Sequence, residues 1–227
     1  MRAFRPNATR LAIFDCDGTL SDGQAAVCRA MDTAFDLAGL PAPIPAQVRR
    51  IVGLSLPQAV LSLVPDAPEE QRLHAVDAYK TAFRAARLDG SLHEPLFPGV
   101  EALVRSLHAR GWVLGVATGK SDRGLRATLA ANGLLDCFAT LQTADRHPSK
   151  PDPAMLLAAM DEVSASPART VMIGDTAYDM LAAGAAGTMA LGVGWGYHEP
   201  HELLGAGASA VAGSAGELEE MLDAIGE

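Results

Sequence analysis

The sequence predicts an α/β protein, a Rossmann-like parallel sheet with helices on both faces and an all-helical segment inserted after the first strand. Three observations lead there. Short apolar runs alternate with amphipathic stretches, as in sheets built from right-handed crossovers. Residues 21–91 carry helical periodicity and no convincing strand. Polar, chemistry-bearing residues recur at the carboxyl ends of the runs, where parallel sheets bind ligands.

The first run, Leu11–Phe14, is short enough for a buried strand and ends in Asp15-Cys16-Asp17-Gly18-Thr19. After Leu20 a helix is expected to start near Ser21 or Asp22, with Val27, Ala30, Met31, Ala34 and Phe35 inward. Gly39 ends it, and Pro41, Pro43 and Pro45 make a rigid break. A second helical stretch runs from near Ala46 to the Gly53-Leu54-Ser55 turn, and more helical pattern follows to Val64. A long helix from about Glu69 to Arg87 carries Leu73, Val76, Tyr79, Lys80 and Phe83. Pro98 is expected to open the next helix and Gly111 to close it. Strands are then expected at Trp112–Ala117, Phe138–Leu141, Thr170–Ile173, Thr188–Val193 and Ser209–Val211. The helices between them start at Ser121, Pro153 and Thr176, and Ala215–Ile225 closes the chain. The expected organisation is a catalytic core of residues 1–20 and 93–227 with a cap at 21–92.

The 227 residues suffice for a substantial core. A net charge of −9, with Lys80, Lys120 and Lys150 the only lysines, argues against nucleic-acid binding. It leaves a phosphate ester open, because a local cation overrides the global sign. Cys16, Cys28 and Cys137 are too scattered for a zinc site or disulfide framework, which points to a reducing cytoplasm. Residues Met1 to Thr9 read as a loose lead-in without the apolar region of a signal peptide. No run spans a bilayer. A monomer is the default expectation.

Asp15 and Asp17 are close enough to repel unless a cation lies between them, and Mg²⁺ with oxygen ligands meets that need. A carboxylate so held can attack phosphorus and form an aspartyl-phosphate. Thr118-Gly119, at the end of the second strand, offers a hydroxyl and backbone N–H groups to a phosphate. Lys150 stands in a loop between Pro148 and Pro151, and Gly174-Asp175 ends the fourth strand, with Asp179 one helical turn on. Singly, each has a plain structural reading as a cap or a solvated charge. Together, at the ends of parallel strands, they assemble a nucleophile, an acid/base, a phosphate clamp and a metal site.

These four segments resemble the signature motifs of the haloacid dehalogenase-like hydrolase superfamily. The run Gly192-Val193-Gly194-Trp195-Gly196-Tyr197-His198 is similar to its phosphoglycolate phosphatase branch. The resemblance implies Asp15 as nucleophile and Asp17 as general acid/base, with its backbone carbonyl on Mg²⁺. It implies Thr118, Gly119 and Lys150 at the phosphoryl group, and Asp175 and Asp179 at the metal. The implied activity is a phosphatase acting on a small phosphorylated metabolite. Arg49 or Arg50, near the turn where the family's cap reaches the site, is the candidate for a substrate carboxylate. The alternative for either is a solvated arginine. Relatives that cleave phosphonates use a cap lysine, and Lys80, on the last cap helix and away from Gly53, argues against that chemistry. Two other readings share the residues: a sugar-phosphate phosphomutase, and a receiver-like phosphoaccepting signalling domain. The helical insert and the Asp15/Asp17 spacing speak against the receiver.

Overall fold

The computed structural model describes residues 9–226, so the lead-in expected before Thr9 lies outside them. The strands β1 (Leu11–Phe14), β2 (Val113–Thr118), β3 (Thr140–Thr143), β4 (Thr170–Gly174), β5 (Met189–Val193) and β6 (Ala210–Ala212) form, among the described residues, one six-stranded sheet. All neighbours are parallel, in the order β3-β2-β1-β4-β5-β6. β1 lies in the middle, with Leu11 paired to Val113 on one side and Thr170 on the other. The chain leaves β1 towards β2 and returns on the opposite side as β4. The carboxyl end of β1 is therefore the switch point, where diverging connections leave a crevice.

Alternation along β1 divides the core into two layers. Ala12, Phe14 and Cys16 pack with α5 (Val100–Ala109), α6 (Asp122–Ala131) and α10 (Ala215–Gly226). Leu11 and Ile13 face α7 (Ala154–Val163) and α8 (Ala177–Ala186). Between β1 and α5 come α1 (Gln24–Leu37), α2 (Pro45–Arg50), α3 (Leu56–Leu63) and α4 (Glu69–Leu88). These four share an apolar cluster of their own, built on Val27, Met31, Phe35, Val48, Val60 and Val76. The insert's two connections run side by side, with Asp22 N–H donating to Pro95 O (2.8 Å) and Phe97 N–H to Leu20 O (3.1 Å).

Several elements depart from the sequence reading: β3 lies two residues beyond the expected Phe138–Leu141, and α1 starts at Gln24 after Gly23 rather than on a Ser21 or Asp22 cap. Helix α5 starts at Val100, because Gly99 adopts φ +81° and breaks the helix Pro98 was expected to open. A further helix, α9 (Pro200–Gly205), follows β5, capped reciprocally by Glu199 and Glu202. Six residues are too few for helical periodicity to register. Among the described residues no helix is long and apolar enough to cross a membrane.

Candidate active site

Asp15 stands one residue beyond β1, its N–H donating to Ile173 O of β4 (2.9 Å), so the sheet fixes its backbone. Its Oδ1 accepts from Cys16 N–H (2.6 Å) and lies 3.0 Å from Lys150 Nζ. Its Oδ2 is buried without a hydrogen-bond partner. Lys150 is fully buried, and its ammonium has three donors. The acceptors are Asp15 Oδ1, Asp179 Oδ1 (2.6 Å) and Ala117 O (3.1 Å). Asp179 is thereby held at one oxygen. The other accepts from the Thr176 hydroxyl (2.7 Å) and N–H (3.1 Å), closing a capping box on α8. Asp175 Oδ1 accepts from the Thr19 hydroxyl (2.8 Å) and Oδ2 from Tyr197 N–H (2.9 Å). The glycine-rich run after β5 supports this end of the site, since Trp195 Nε1–H also donates to Thr19 O (3.1 Å). Only glycine fits at 18 and 196, where a Cβ would stand 2.1 Å from Asp175 Oδ2 and 2.2 Å from Asp175 Cβ.

Charge is unbalanced in this cluster. Asp15, Asp175 and Asp179 each bring an oxygen within 4.8 Å of the others, against the single ammonium of Lys150. Burial pushes the Asp15 carboxyl up to about 7 despite Lys150, and raises Asp175 well above the usual range, helped by the Asp15 and Asp179 charges. Three carboxylates and one ammonium leave two negative charges, which a divalent cation would cancel. The partnerless Asp15 Oδ2 faces the same need, so the residues fit Mg²⁺. Asp15, with a free oxygen, and Asp175, which has no ammonium against it, are the better-placed carboxylates, because Asp179 already pairs with Lys150.

The Asp17 carboxylate points elsewhere. Its Oδ1 lies 3.0 Å from Lys120 Nζ, which also pairs with Glu94 (2.6 Å). Glu94 accepts from Arg87 of α4 (3.0 Å) and from the Thr128 hydroxyl of α6 (2.9 Å). Burial raises the Asp17 pKa above the carboxylate norm against the pull of Lys120, with Glu94 adding repulsion. Glu94 itself stays ionised, because Lys120, Thr128 and Arg87 outweigh its burial. Burial thus raises both Asp15 and Asp17, and geometry is what separates them: Asp15 is seated between the sheet and Lys150, whereas Asp17 borders the cavity beside Lys120. Sequence reasoning missed Lys120 and Glu94. Lys120 was legible as the residue after Thr118-Gly119, but nothing in the sequence links it to Glu94, 26 positions away.

A cavity of about 630 Å³ opens from Asp17 between sheet and insert, with Thr118 and Gly119 in its wall. The Gly53-Leu54-Ser55 turn reaches in as expected. Ser55 N–H donates to Ser149 Oγ (2.8 Å), and a Cβ at Gly53 would lie 3.7 Å from Asp15 Oδ2. Three side chains lie elsewhere than the sequence reading put them. Arg49 and Arg50 do not line this cavity, and Arg50 instead pairs with Glu202 of α9 (2.5 Å). Lys80 does line it, so its position gives no ground against phosphonate chemistry. His147 hydrogen-bonds Gln142 Oε1 (2.8 Å).

Residues 9–187 match the family model described as haloacid dehalogenase-like hydrolase. The chain is 37% identical to a protein named probable phosphatase IndB from Dickeya dadantii, over 86% of each chain. It is 28% identical to a phosphoglycolate phosphatase from Vibrio vulnificus, over 95% of this chain and 96% of the other. A crystal structure described as a predicted phosphatase from Clostridium acetobutylicum superimposes with a TM-score of 0.86 at 25% identity, covering 95% of this chain and 99% of that one. The strand-end carboxylates, the buried lysine and these matches agree: the chain belongs to the haloacid dehalogenase-like hydrolases.

Proposed function

We propose that this protein is a Mg²⁺-dependent phosphatase that hydrolyses a small phosphomonoester through an aspartyl-phosphate on Asp15. The observation that carries the reading is the division of labour between two buried carboxylates two residues apart. Asp15 is fixed by the sheet, paired with Lys150 and grouped with the Asp175 and Asp179 carboxylates, whereas Asp17 lines the cavity, on the side of a leaving group. The phosphatase names of the relatives support the same reading.

In the first half-reaction the Asp15 carboxylate attacks phosphorus as the ester P–O bond breaks, and the leaving alkoxide takes the proton of Asp17. In the second, water gives a proton to the Asp17 carboxylate while its oxygen attacks phosphorus. The acyl-phosphate P–O bond breaks, and phosphate and the Asp15 carboxylate are restored. Thr118 Oγ and the Gly119 N–H hold phosphoryl oxygens, and Lys150 turns to one of them the donor that Asp15 releases on losing its charge as the acyl-phosphate forms. Asp15, Asp175 and the Asp17 carbonyl would hold Mg²⁺, with Asp179 beside them, and the ion would neutralise charge building up on the phosphoryl group. The insert of residues 21–92 acts as the cap that dries the site. Cys16, Cys28 and Cys137 are free thiols, which suits the cytoplasmic location we assign.

Purified protein should release phosphate from p-nitrophenyl phosphate with Mg²⁺, stop in excess EDTA, and lose turnover in Asp15→Asn. Full activity in chelator, or in Asp15→Asn, would refute the assignment.

A further inference from the structure

The cavity is larger and more basic than a two-carbon ester requires. Its 630 Å³ falls in the range that holds drug-sized ligands, and phosphoglycolate would leave most of it to water. Beyond the phosphate clamp the wall is apolar and aromatic, made by Val27 and Met31 of α1 and Tyr79 and Phe83 of α4. This wall is close to the chemistry: the Phe83 ring centroid is 5.6 Å from Lys120 Nζ, itself 3.0 Å from Asp17 Oδ1.

Basic side chains outnumber acidic ones around it, in a chain of net charge −9. Of these, Lys120 and Arg87 are neutralised by Asp17 and Glu94. Lys80, Arg84 and Arg123 are not: none has an ion pair or side-chain hydrogen bond among the described residues. Lys80 and Arg84 are one helical turn apart on α4, a like-charged pairing that costs a helix a few tenths of a kcal/mol. Arg123, in the first turn of α6, lines the same cavity. Asp145, the acid on this side, already accepts from Asp122 N–H (2.9 Å).

Resting on the phosphatase reading, we infer that the substrate is a phosphomonoester of about ring size or larger, with a second anionic group at its far end. Its phosphoryl group lies at Asp15, its body lies along Tyr79 and Phe83, and its distal carboxylate or phosphate is bound by Lys80, Arg84 and Arg123. This places the recognition of the non-reacting end on α4 and α6, where Arg49 and Arg50 are absent.

The test is a pair of probes equal in size and different in charge, 4-carboxyphenyl phosphate and neutral 4-carbamoylphenyl phosphate, with 2-phosphoglycolate as the short dianion. The wild type should show a KM about tenfold lower for the carboxylate than for the amide, as one charge-assisted contact provides. Replacing Lys80 by Met and both Arg84 and Arg123 by Gln should bring that ratio to about one, and Arg84→Lys with Arg123→Lys, leaving Lys80, should largely keep it. Equal KM values in the wild type, equal losses on both probes, or 2-phosphoglycolate as the best of the three would overturn the inference. Calorimetric binding of both probes to Asp15→Asn separates the two claims. Selective carboxylate binding without wild-type turnover would support this inference and sink the phosphatase reading. Turnover without selectivity would do the reverse.

Discussion

Gly119→Ala isolates the contact by which the insert closes over the nucleophile. Gly119 lies outside the left-handed region, so alanine brings no backbone strain, and its N–H remains available to a phosphoryl oxygen. The added Cβ, however, would stand 2.2 Å from Leu54 O, 2.8 Å from Leu54 C and 3.1 Å from Gly53 O. These are backbone atoms and cannot rotate away. Restoring ordinary contact near 3.4 Å requires the Gly53–Ser55 turn to retreat by about 1.2 Å, the difference between 3.4 and 2.2. That turn packs against Asp15 and is fastened by the Ser55–Ser149 hydrogen bond. A displacement of about 1 Å in groups that define the reacting geometry costs on the order of 10²-fold in rate. The expected result is therefore a fall of about 10² in kcat/KM for p-nitrophenyl phosphate, or about 2.7 kcal/mol in transition-state stabilisation. Turnover within about threefold of wild type, well short of the loss a misplaced site brings, would show that the turn is not seated on Gly119 during reaction.

Three further outcomes are expected. Lys120→Met leaves Asp17 and Glu94 buried without their shared counter-charge, and should cost about 3–5 kcal/mol in urea unfolding at pH 7; an unshifted midpoint would contradict the pairing. Asp17→Asn should still be phosphorylated on Asp15 by p-nitrophenyl phosphate, whose leaving group needs no proton, and then stall; mass spectrometry of the quenched protein should find the phosphoryl group on the Asp15 peptide, and its presence on residue 17 of the wild type would reverse the roles. Because burial raises Asp15 from 3.8 to about 7, the folded state keeps a proton that the unfolded chain releases. That contribution is complete below 3.8 and lost as pH rises through about 7, so Tm in EDTA should fall across this window and added Mg²⁺ should raise Tm most at its upper end. A flat Tm would count against the buried acid cluster.

The core of the site was legible because parallel strands constrain where residues go. A buried run has one carboxyl end, and residues just beyond it must share the edge of the sheet whatever lies between them in sequence. Asp15, Thr118 and Asp175 share that edge on those grounds alone, and Lys150 joins them from the longer loop after β3. The Asp175 support was only half legible: the glycines after β5 stood out as a pattern, but the close approach of Gly196 to Asp175 Cβ depends on a turn that no spacing reveals.

The insert was legible as helices and illegible as a wall. Helical periodicity identifies the buried face of each helix, and Val27, Met31 and Phe35 are buried as α1 required. It gives neither the direction in which a helix crosses its neighbour nor which polar flank meets the sheet. Arg49 and Arg50 sit on a helix of six residues that buries Val48, and Arg50 meets Glu202 of α9 with its side chain and the His198 ring with its carbonyl. Lys80 looked remote because it is far from Gly53 along the chain, yet α4 packs beside α1 and brings its Lys80–Arg87 flank to the cavity mouth. Specificity in such an architecture is written in the relative placement of helices, whereas catalysis is written in strand order. A reading confined to strand ends identifies the carboxylates and the lysine but not the cavity wall, and the discrimination measured at Arg84 and Arg123 is where that wall's role becomes observable.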